Sequence, residues 1–194
     1  MKKKEIDIVF LLDRSGSMAG SESDTIGGYN SYIDKMKNNK AKVTTVLFDN
    51  QYELLTNRED ISKIKKLTNE TYYVRGCTAL YDAIGKTITT IERETNNKVL
   101  FVITTDGLEN ASIEYNKKSI SKLIKKHSNW EFLYIGANID SYAEGESIGI
   151  SSNNIANYKK GSAGTAKLFR SIERASSIMM EEGCLNTSWK KDLN

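Results

Sequence analysis

Residues 7–18 read DIVFLLDRSGSM, and this stretch sets the expectations for the rest of the chain. An apolar run ends abruptly at Asp13, and two hydroxyl side chains, Ser15 and Ser17, follow at alternate positions. A short, nearly continuous apolar run is typical of a strand buried on both faces of a parallel sheet. We therefore expect a central parallel strand that delivers these three side chains to the rim, the edge of the sheet where the parallel strands end. There they would hold a divalent cation.

The composition is that of an ordinary soluble globular protein. The 194 residues are 39% hydrophobic and 27% charged, which suits one domain with a substantial core. The net charge of +3 is too weak to indicate nucleic-acid binding, because the basic residues are not concentrated in one patch. The lysines between residues 117 and 126 are predicted to lie on the solvent side of one helix. We therefore expect no nucleic-acid partner.

Cysteine usage and the first residues bear on the cellular compartment. Two cysteines, Cys77 and Cys184, are too few for a disulfide framework and suggest a reducing compartment. Residues 1–4 (MKKK) imitate the start of a signal peptide, but the apolar run behind them is short, carries Asp7 and lacks a small-residue cleavage site. No stretch approaches the roughly 20 apolar residues of a membrane span. We expect a cytoplasmic, monomeric protein that does not bind membranes.

Strand-like and helix-like segments alternate along the chain. The predicted strands are 5–13, 42–49, 51–56, 98–105, 130–137 and 153–158, and the predicted helices are 24–38, 61–67, 80–91, 116–127, a short one before 149, and 162–181. Segment 51–56 would pair antiparallel with the strand before it. This alternation predicts an α/β, Rossmann-like doubly wound sandwich: a mostly parallel six-stranded sheet with one short antiparallel strand and helices on both faces. We expect a single domain over 1–183 and a C-terminal tail over 184–194.

Three loops carry small oxygen donors to the rim. They are residues 13–17, residues 76–78 ahead of the helix at 80–91, and residues 105–107 at the end of the strand at 98–105. No thiolate or imidazole is among the candidate ligands. Compact sets of hard oxygen donors suit Mg²⁺, with Mn²⁺ or Ca²⁺ as substitutes. Most of the oxygen donors in these loops are neutral hydroxyls, so a bound metal would stay electrophilic and keep a position that an acidic residue of a partner completes best.

Three features of the sequence together resemble the von Willebrand factor type A family. They are the motif D-x-S-x-S after a buried strand, a Thr ahead of a helix, and an Asp-Gly that closes a later strand. The metal-ion-dependent adhesion site of that family consists of five such positions. The resemblance covers about residues 5–182 and implies that the metal ligands are Asp13, Ser15, Ser17, Thr78 and Asp106. It implies direct ligation by the serines and the threonine, and ligation by the aspartates directly or through water. Within the family, the compact form with the sequence TDGLEN resembles bacterial and phage proteins, including those associated with tellurite resistance.

These features favour Mg²⁺-dependent, non-catalytic binding of a protein partner whose Asp or Glu supplies the last metal ligand. Loops around Arg14, Met18, Glu109 and Asn138 would supply specificity. Asp49 and Glu109 would also lie near the rim as groups that position the ligands, or else occupy turns or solvent-exposed positions. One alternative is a metal-dependent hydrolase or phosphatase, although no general base or nucleophile is visible in the motif. Another is a scaffold subunit of a larger complex, such as one with an AAA+ ATPase.

Other reactive-looking residues favour structural roles. Residues 85–87 (GKT) imitate the end of a phosphate-binding loop, but Leu80 stands where that motif requires a Gly. The single histidine, His127, ends a lysine-rich helix, where a cation suits the helix dipole. Cys77 is expected to be a small buried residue rather than a thiol near the metal. None of these patterns supports a catalytic site.

Overall fold

The computed structural model describes residues 4–193, and these form a six-stranded sheet flanked by helices. Residues 1–3, most of the signal-like start, and residue 194 of the expected tail lie outside the described residues. The strands are β1 (Ile6–Asp13), β2 (Ala41–Phe48), β3 (Tyr52–Asp60), β4 (Lys98–Thr105), β5 (Glu131–Gly136) and β6 (Ile155–Asn157). Their order is β3-β2-β1-β4-β5-β6, and β3 runs antiparallel while the other strands are parallel. The predicted α/β fold class is therefore confirmed.

The strand β1 lies at the centre and separates two apolar cores. All eight of its residues are buried, and successive side chains point to opposite faces of the sheet. Ile8, Phe10 and Leu12 join the core on one face, while Val9 and Leu11 join the core on the other. The nearly continuous apolar run is explained by this position, because both faces of the strand are covered.

Helices cover both faces. They are α1 (Glu22–Met36), α2 (Leu80–Ile91), α3 (Lys117–Lys126), α4 (Ser141–Ser147) and α5 (Ser162–Glu182). Buried residues of α1 and α5 belong to one core, and buried residues of α2 and α3 belong to the other. The end of α5 is set by Gly183, whose φ of 80° is the left-handed conformation that favours glycine. Among residues 4–193, no helix has both the length and the apolar character to cross a membrane.

Two predicted elements around β3 differ from the structure. The hairpin partner expected at 51–56 is longer, because β3 extends over nine residues. The helix expected at 61–67 is instead a three-residue 3-10 turn, Ile61–Lys63, followed by extended chain. The apolar residues that suggested the helix, Ile61, Ile64 and Leu67, are nevertheless buried. Their spacing reflects contact with the core, which an extended segment also achieves.

The segment after α5 was expected to be a tail, and this expectation is wrong for the described residues. Residues 184–193 turn back onto the fold through a 3-10 helix, Thr187–Lys190. The Trp189 side chain is fully buried, and its indole Nε1 donates a hydrogen bond of 3.0 Å to the carbonyl of Asn153. Lys190 Nζ donates bonds of 2.7 Å to the carbonyls of Ser152 and Ile155. The segment is thus part of the packed fold.

Candidate metal centre

The three loops that carry the predicted ligands meet at the rim. The strands β1 and β4 are adjacent and parallel, so the residues that follow them emerge at the same edge. The loop before α2 is tied to the loop after β1 by two backbone hydrogen bonds, from Gly16 N to Gly76 O at 3.0 Å and from Arg75 N to Arg14 O at 2.9 Å. The sheet and these two bonds therefore bring the predicted ligands together.

Three hydroxyl oxygens surround one point beside Gly107. A Cβ added to this glycine would lie 2.8 Å from Thr78 Oγ1, 3.0 Å from Ser17 Oγ and 3.6 Å from Ser15 Oγ. The two serine oxygens are themselves 3.1 Å apart. Because Gly107 has no side chain, the small space towards which the three hydroxyls converge stays open.

Asp13 is buried at the base of this space. Its Oδ1 accepts a hydrogen bond of 2.7 Å from Ser15 N, and its Oδ2 accepts one of 2.5 Å from Thr105 Oγ1. Burial raises the pKa of the Asp13 carboxyl, outweighing the hydrogen bonds that lower it, and the nearby charge of Asp106 raises it further. A divalent cation at the site would favour the ionised form of this carboxyl.

Asp106 lacks the hydrogen bonds that usually satisfy a buried carboxylate. Its side chain is buried, and Oδ1 has no hydrogen-bond partner among the described residues. Its Oδ2 forms an ion pair with Lys160 Nζ, which also donates a hydrogen bond of 2.6 Å to the carbonyl of Ser17. Buried carboxylates need a cation or hydrogen-bond donors. This environment suits a metal ligand.

The donor set fits a hard divalent cation. The five predicted ligands bring two carboxylates and three hydroxyls to one edge, and oxygen ligands of this kind suit Mg²⁺ and related ions. Over residues 4–193, no group of three His, Cys, Asp or Glu side chains has the arrangement of a metal site. A search for those residue types alone would miss this centre, because hydroxyls supply most of its donors. Ligation by each of the five residues stays a prediction.

In the loop after β1, two side chains that were expected to be exposed are buried. Arg14 and Met18 were expected to contact a partner, but both are buried. Arg14 Nε donates a hydrogen bond of 2.9 Å to Asp49 Oδ2. The Nη1 atom of Arg14 lies 2.7 Å from the Oε2 atom of Glu53. Asp49 Oδ2 also accepts a bond of 2.7 Å from Arg75 Nε. Arg14 thus anchors the loop to the fold and is not available for specificity.

Glu109 and Asn110 fix the third loop against the start of α2. Glu109 Oε2 accepts a hydrogen bond of 2.9 Å from Tyr81 N, and its Oε1 accepts bonds from Ala111 N and Ser112 N. Asn110 Oδ1 accepts a bond of 2.9 Å from Thr78 N. Glu109 therefore has a positioning role, which is one of the two roles predicted for it. Asn110 lies within the motif TDGLEN, but nothing in that motif predicts its contact with Thr78.

Two further residues, Tyr72 and Lys160, contact the site from other parts of the chain. The Tyr72 hydroxyl donates a hydrogen bond of 2.5 Å to the Asp13 carbonyl, and burial raises the pKa of Tyr72, which keeps this donor protonated. Lys160, which contacts Asp106, follows β6 and is distant in sequence from all three loops. No local sequence pattern connects either residue with the site.

Other candidates behave partly as expected. Cys77 is exposed rather than buried, and the prediction of a buried thiol is wrong.

His127 stacks on Trp130 with ring centroids 4.2 Å apart, and its Nε2 lies 2.9 Å from Glu92 Oε2. It precedes β5 and so lies at the edge of the sheet opposite the rim. Asn138, one of the expected specificity residues, is exposed at the rim after β5.

Comparisons with known proteins agree with this architecture. A family model described as the von Willebrand factor type A domain matches residues 8–109, just over half of the chain. A comparison with curated protein sequences gives no match. Among solved structures, proximal thread matrix protein 1 from the mussel byssus is similar with a TM-score of 0.68 and 14% identity, over 90% of this chain and 47% of that one. Another structure of that protein is described as having a zinc-occupied MIDAS motif, the abbreviation for metal-ion-dependent adhesion site.

A minor pilin and a pilus adhesin are similar as well. The PilB minor pilin from Streptococcus sanguinis has a TM-score of 0.70 and 12% identity, over 92% of this chain and 62% of that one. The pilus adhesin SpaC from Lactobacillus rhamnosus GG has a TM-score of 0.68 and 13% identity, over 93% of this chain and 31% of that one. The chain thus spans less than two thirds of each of these proteins. At these identities, the likeness establishes the fold.

Proposed function

We propose that this chain, which belongs to the von Willebrand factor type A domain family, is a divalent-metal-dependent module that binds a protein partner without catalysing a reaction. One observation carries the proposal: the Ser15, Ser17 and Thr78 hydroxyls converge beside Gly107, next to the buried carboxylates of Asp13 and Asp106. This donor set has the chemistry of a metal-ion-dependent adhesion site.

The balance of charge favours an acidic partner. The two carboxylates offset the formal charge of a divalent cation only where both ligate it directly. The three hydroxyl donors are neutral, so they reduce the positive charge of the bound ion very little. A bound Mg²⁺ ion would supply an electrophilic centre that attracts a carboxylate from outside the chain. The partner surface is therefore expected to present an Asp or Glu, with exposed rim residues such as Asn138 and Leu108 around it.

A binding role also agrees with the surroundings of the site. Asp13 is held by Ser15 N and Thr105 Oγ1 at the base of the site, so it is poorly placed to act as a nucleophile or general base. His127 lies at the opposite edge of the sheet. One of the similar structures is described as a pilus adhesin, which fits a fold used for contact with other molecules. A cytoplasmic location, a monomeric state and a relationship with tellurite-resistance proteins stay predictions.

The test has two stages. Isothermal titration with Mg²⁺, Mn²⁺ and Ca²⁺ is expected to show one site in the wild-type protein and none in Asp13→Ala, whose circular dichroism spectrum should remain that of the folded protein. Asp34→Asn, which changes an exposed carboxylate that pairs with Lys66, is the matched control and should bind the metal normally. Retained metal binding in Asp13→Ala would contradict the assignment of the site.

The second stage addresses the partner. The wild-type protein, immobilised with Mg²⁺, is used to capture proteins from the source cells, and the column is then eluted with EDTA. Partners of the metal site should elute with EDTA and should not bind to Asp13→Ala. Proteins that bind both baits equally, with or without EDTA, would indicate a scaffold role that does not use the metal.

A further inference from the structure

Lys160 places a positive charge directly on the candidate metal site. The residue lies between β6 and α5, and its Nζ forms an ion pair with Asp106 Oδ2 and donates a hydrogen bond of 2.6 Å to the Ser17 carbonyl. The Asp106 side chain is completely buried in this arrangement, whereas the Lys160 side chain is 28% exposed. An ammonium group thus bridges two of the three loops that carry the predicted ligands.

The ammonium group and a divalent cation would make use of the same carboxylate. An ammonium is a compact point charge, and its contact with the buried Asp106 carboxylate is a close ion pair. Two cations on one buried carboxylate repel each other even when they contact different oxygens, because water screens the two charges poorly there. The ion pair and metal ligation by Asp106 are therefore expected to exclude each other.

We propose that Lys160 is a tethered cation that competes with the divalent metal for Asp106, so that metal binding requires the Lys160 side chain to leave the site. This inference rests on the metal-binding part of the proposed function and not on the identity of the partner. In the metal-free protein, Lys160 neutralises the buried Asp106 carboxylate and thereby stabilises the fold. In the metal-bound protein, the divalent cation takes over that neutralising role.

The surroundings of Lys160 give the displaced side chain a place to go. A cavity of about 500 Å³ lies beside it, lined by Tyr158, Lys160, Gly161, Lys167 and Asp192 among others. The side chain is already partly exposed there, and lysine has a flexible four-carbon stem. Release from Asp106 therefore requires rotation of one side chain and no rearrangement of the sheet.

The competition is tested by measuring Mg²⁺ affinity and stability for Lys160→Met. Removal of the competitor is expected to tighten Mg²⁺ binding by about tenfold, which corresponds to one charge-assisted hydrogen bond. The matched control is Lys159→Met, which removes the same charge from the neighbouring, exposed residue and should change the affinity less than about twofold. In EDTA, Lys160→Met should unfold at a lower temperature than the wild-type protein, because Asp106 is left buried without a cation. Saturating Mg²⁺ should remove that difference.

A double variant separates the ion pair from other effects of the substitution. In an Asp106→Asn background there is no carboxylate to neutralise, so Lys160→Met should no longer lower the melting temperature in EDTA. An equal loss of stability in both backgrounds would show that Lys160 acts through packing alone and would overturn the inference.

The titration separates this inference from the proposed function. Unchanged or weaker Mg²⁺ binding by Lys160→Met, with normal binding by the wild-type protein, would overturn the competition and leave the proposed metal site intact. Binding by Lys160→Met but not by the wild-type protein would support a competitor strong enough to block the site. If neither protein bound Mg²⁺, Mn²⁺ or Ca²⁺, the proposed metal site and the competition would both be wrong.

Discussion

Thr105 Oγ1 donates a hydrogen bond of 2.5 Å to Asp13 Oδ2, and this contact joins the ends of β1 and β4 below the candidate metal site. The other carboxylate oxygen of Asp13 accepts a bond of 2.7 Å from Ser15 N. Both oxygens are therefore positioned by the fold itself. A carboxylate held in this way needs little rearrangement to take part in a metal site, which reduces the entropic cost of binding.

Replacement of Asp13 by Asn is expected to stabilise the metal-free protein at neutral pH. Burial raises the pKa of Asp13 in the folded state above its ordinary value of 3.8. Between the ordinary and the raised pKa, the folded state binds more protons than the unfolded state, so stability falls as the pH rises through this window. Each unit of the raised pKa costs about 1.4 kcal/mol above that window. The uncharged Asn side chain avoids this cost and can still accept a bond from Ser15 N.

The measurement is a series of thermal melts in EDTA between pH 4 and pH 8. The gain in melting temperature of Asp13→Asn over the wild-type protein should be largest near pH 7 and should shrink as the pH falls. A variant that is less stable than the wild type at pH 7, or a gain that grows towards acid pH, would contradict the raised pKa.

Substitution of Gly107 by Ala is expected to weaken metal binding at least tenfold without unfolding the protein. The added methyl group would lie 2.8 Å from Thr78 Oγ1 and 3.0 Å from Ser17 Oγ, so these hydroxyls must move apart. Gly27→Ala in the helix α1 is the matched control, because its added Cβ has no atom within 4 Å. That control should bind Mg²⁺ normally and gain up to about 1 kcal/mol of stability. Normal binding by Gly107→Ala would show that the hydroxyls do not hold the metal.

Replacement of Asp49 by Asn should lower the free energy of unfolding by about 3 kcal/mol, because the buried Arg14 guanidinium loses its one buried carboxylate partner and keeps only the exposed Glu53. Chemical denaturation measures this loss. The double variant Arg14→Met/Asp49→Asn should recover much of it, since the charges left unpaired, on Glu53 and Arg75, are then exposed. Arg75→Met is the control: its side chain is 36% exposed, so the loss should stay below about 1 kcal/mol. Equal losses in Asp49→Asn and Arg75→Met would argue against a buried ion pair.

Replacement of Trp189 by Ala should cost about 3–5 kcal/mol of stability, because the indole is fully buried in one of the two cores. Thr187→Ala, in the same 3-10 helix and exposed, should change the stability by less than about 0.5 kcal/mol. Urea denaturation of the two variants provides the comparison. A Trp189→Ala protein as stable as the wild type would mean that residues 184–193 do not belong to the packed fold.

The sequence predicted the sheet well and the exposure of its loops poorly. The strand β4 begins and ends where the apolar run predicted, and Gly183 ends α5 as expected. The exposure predicted for Arg14 and Cys77 was wrong in opposite directions. Polarity alone misleads here, since a charged side chain is buried when the fold supplies a carboxylate for it, and a small apolar one is exposed when its loop lies at the rim.

Local patterns in the sequence predicted the fold class, and the resemblance of its motifs to a known family predicted the candidate ligands. Strand and helix periodicity arise from neighbouring residues, and parallel strands necessarily end at one edge, so Asp13 and Asp106 could be placed at the same rim. Only the tertiary structure decided which distant residues contact that rim. The ion pair of Lys160 with Asp106, the bond from Tyr72 to the Asp13 carbonyl, and the burial of Trp189 each join segments far apart in sequence. Such contacts depend on how the whole chain packs, because no periodicity or spacing within a segment encodes them.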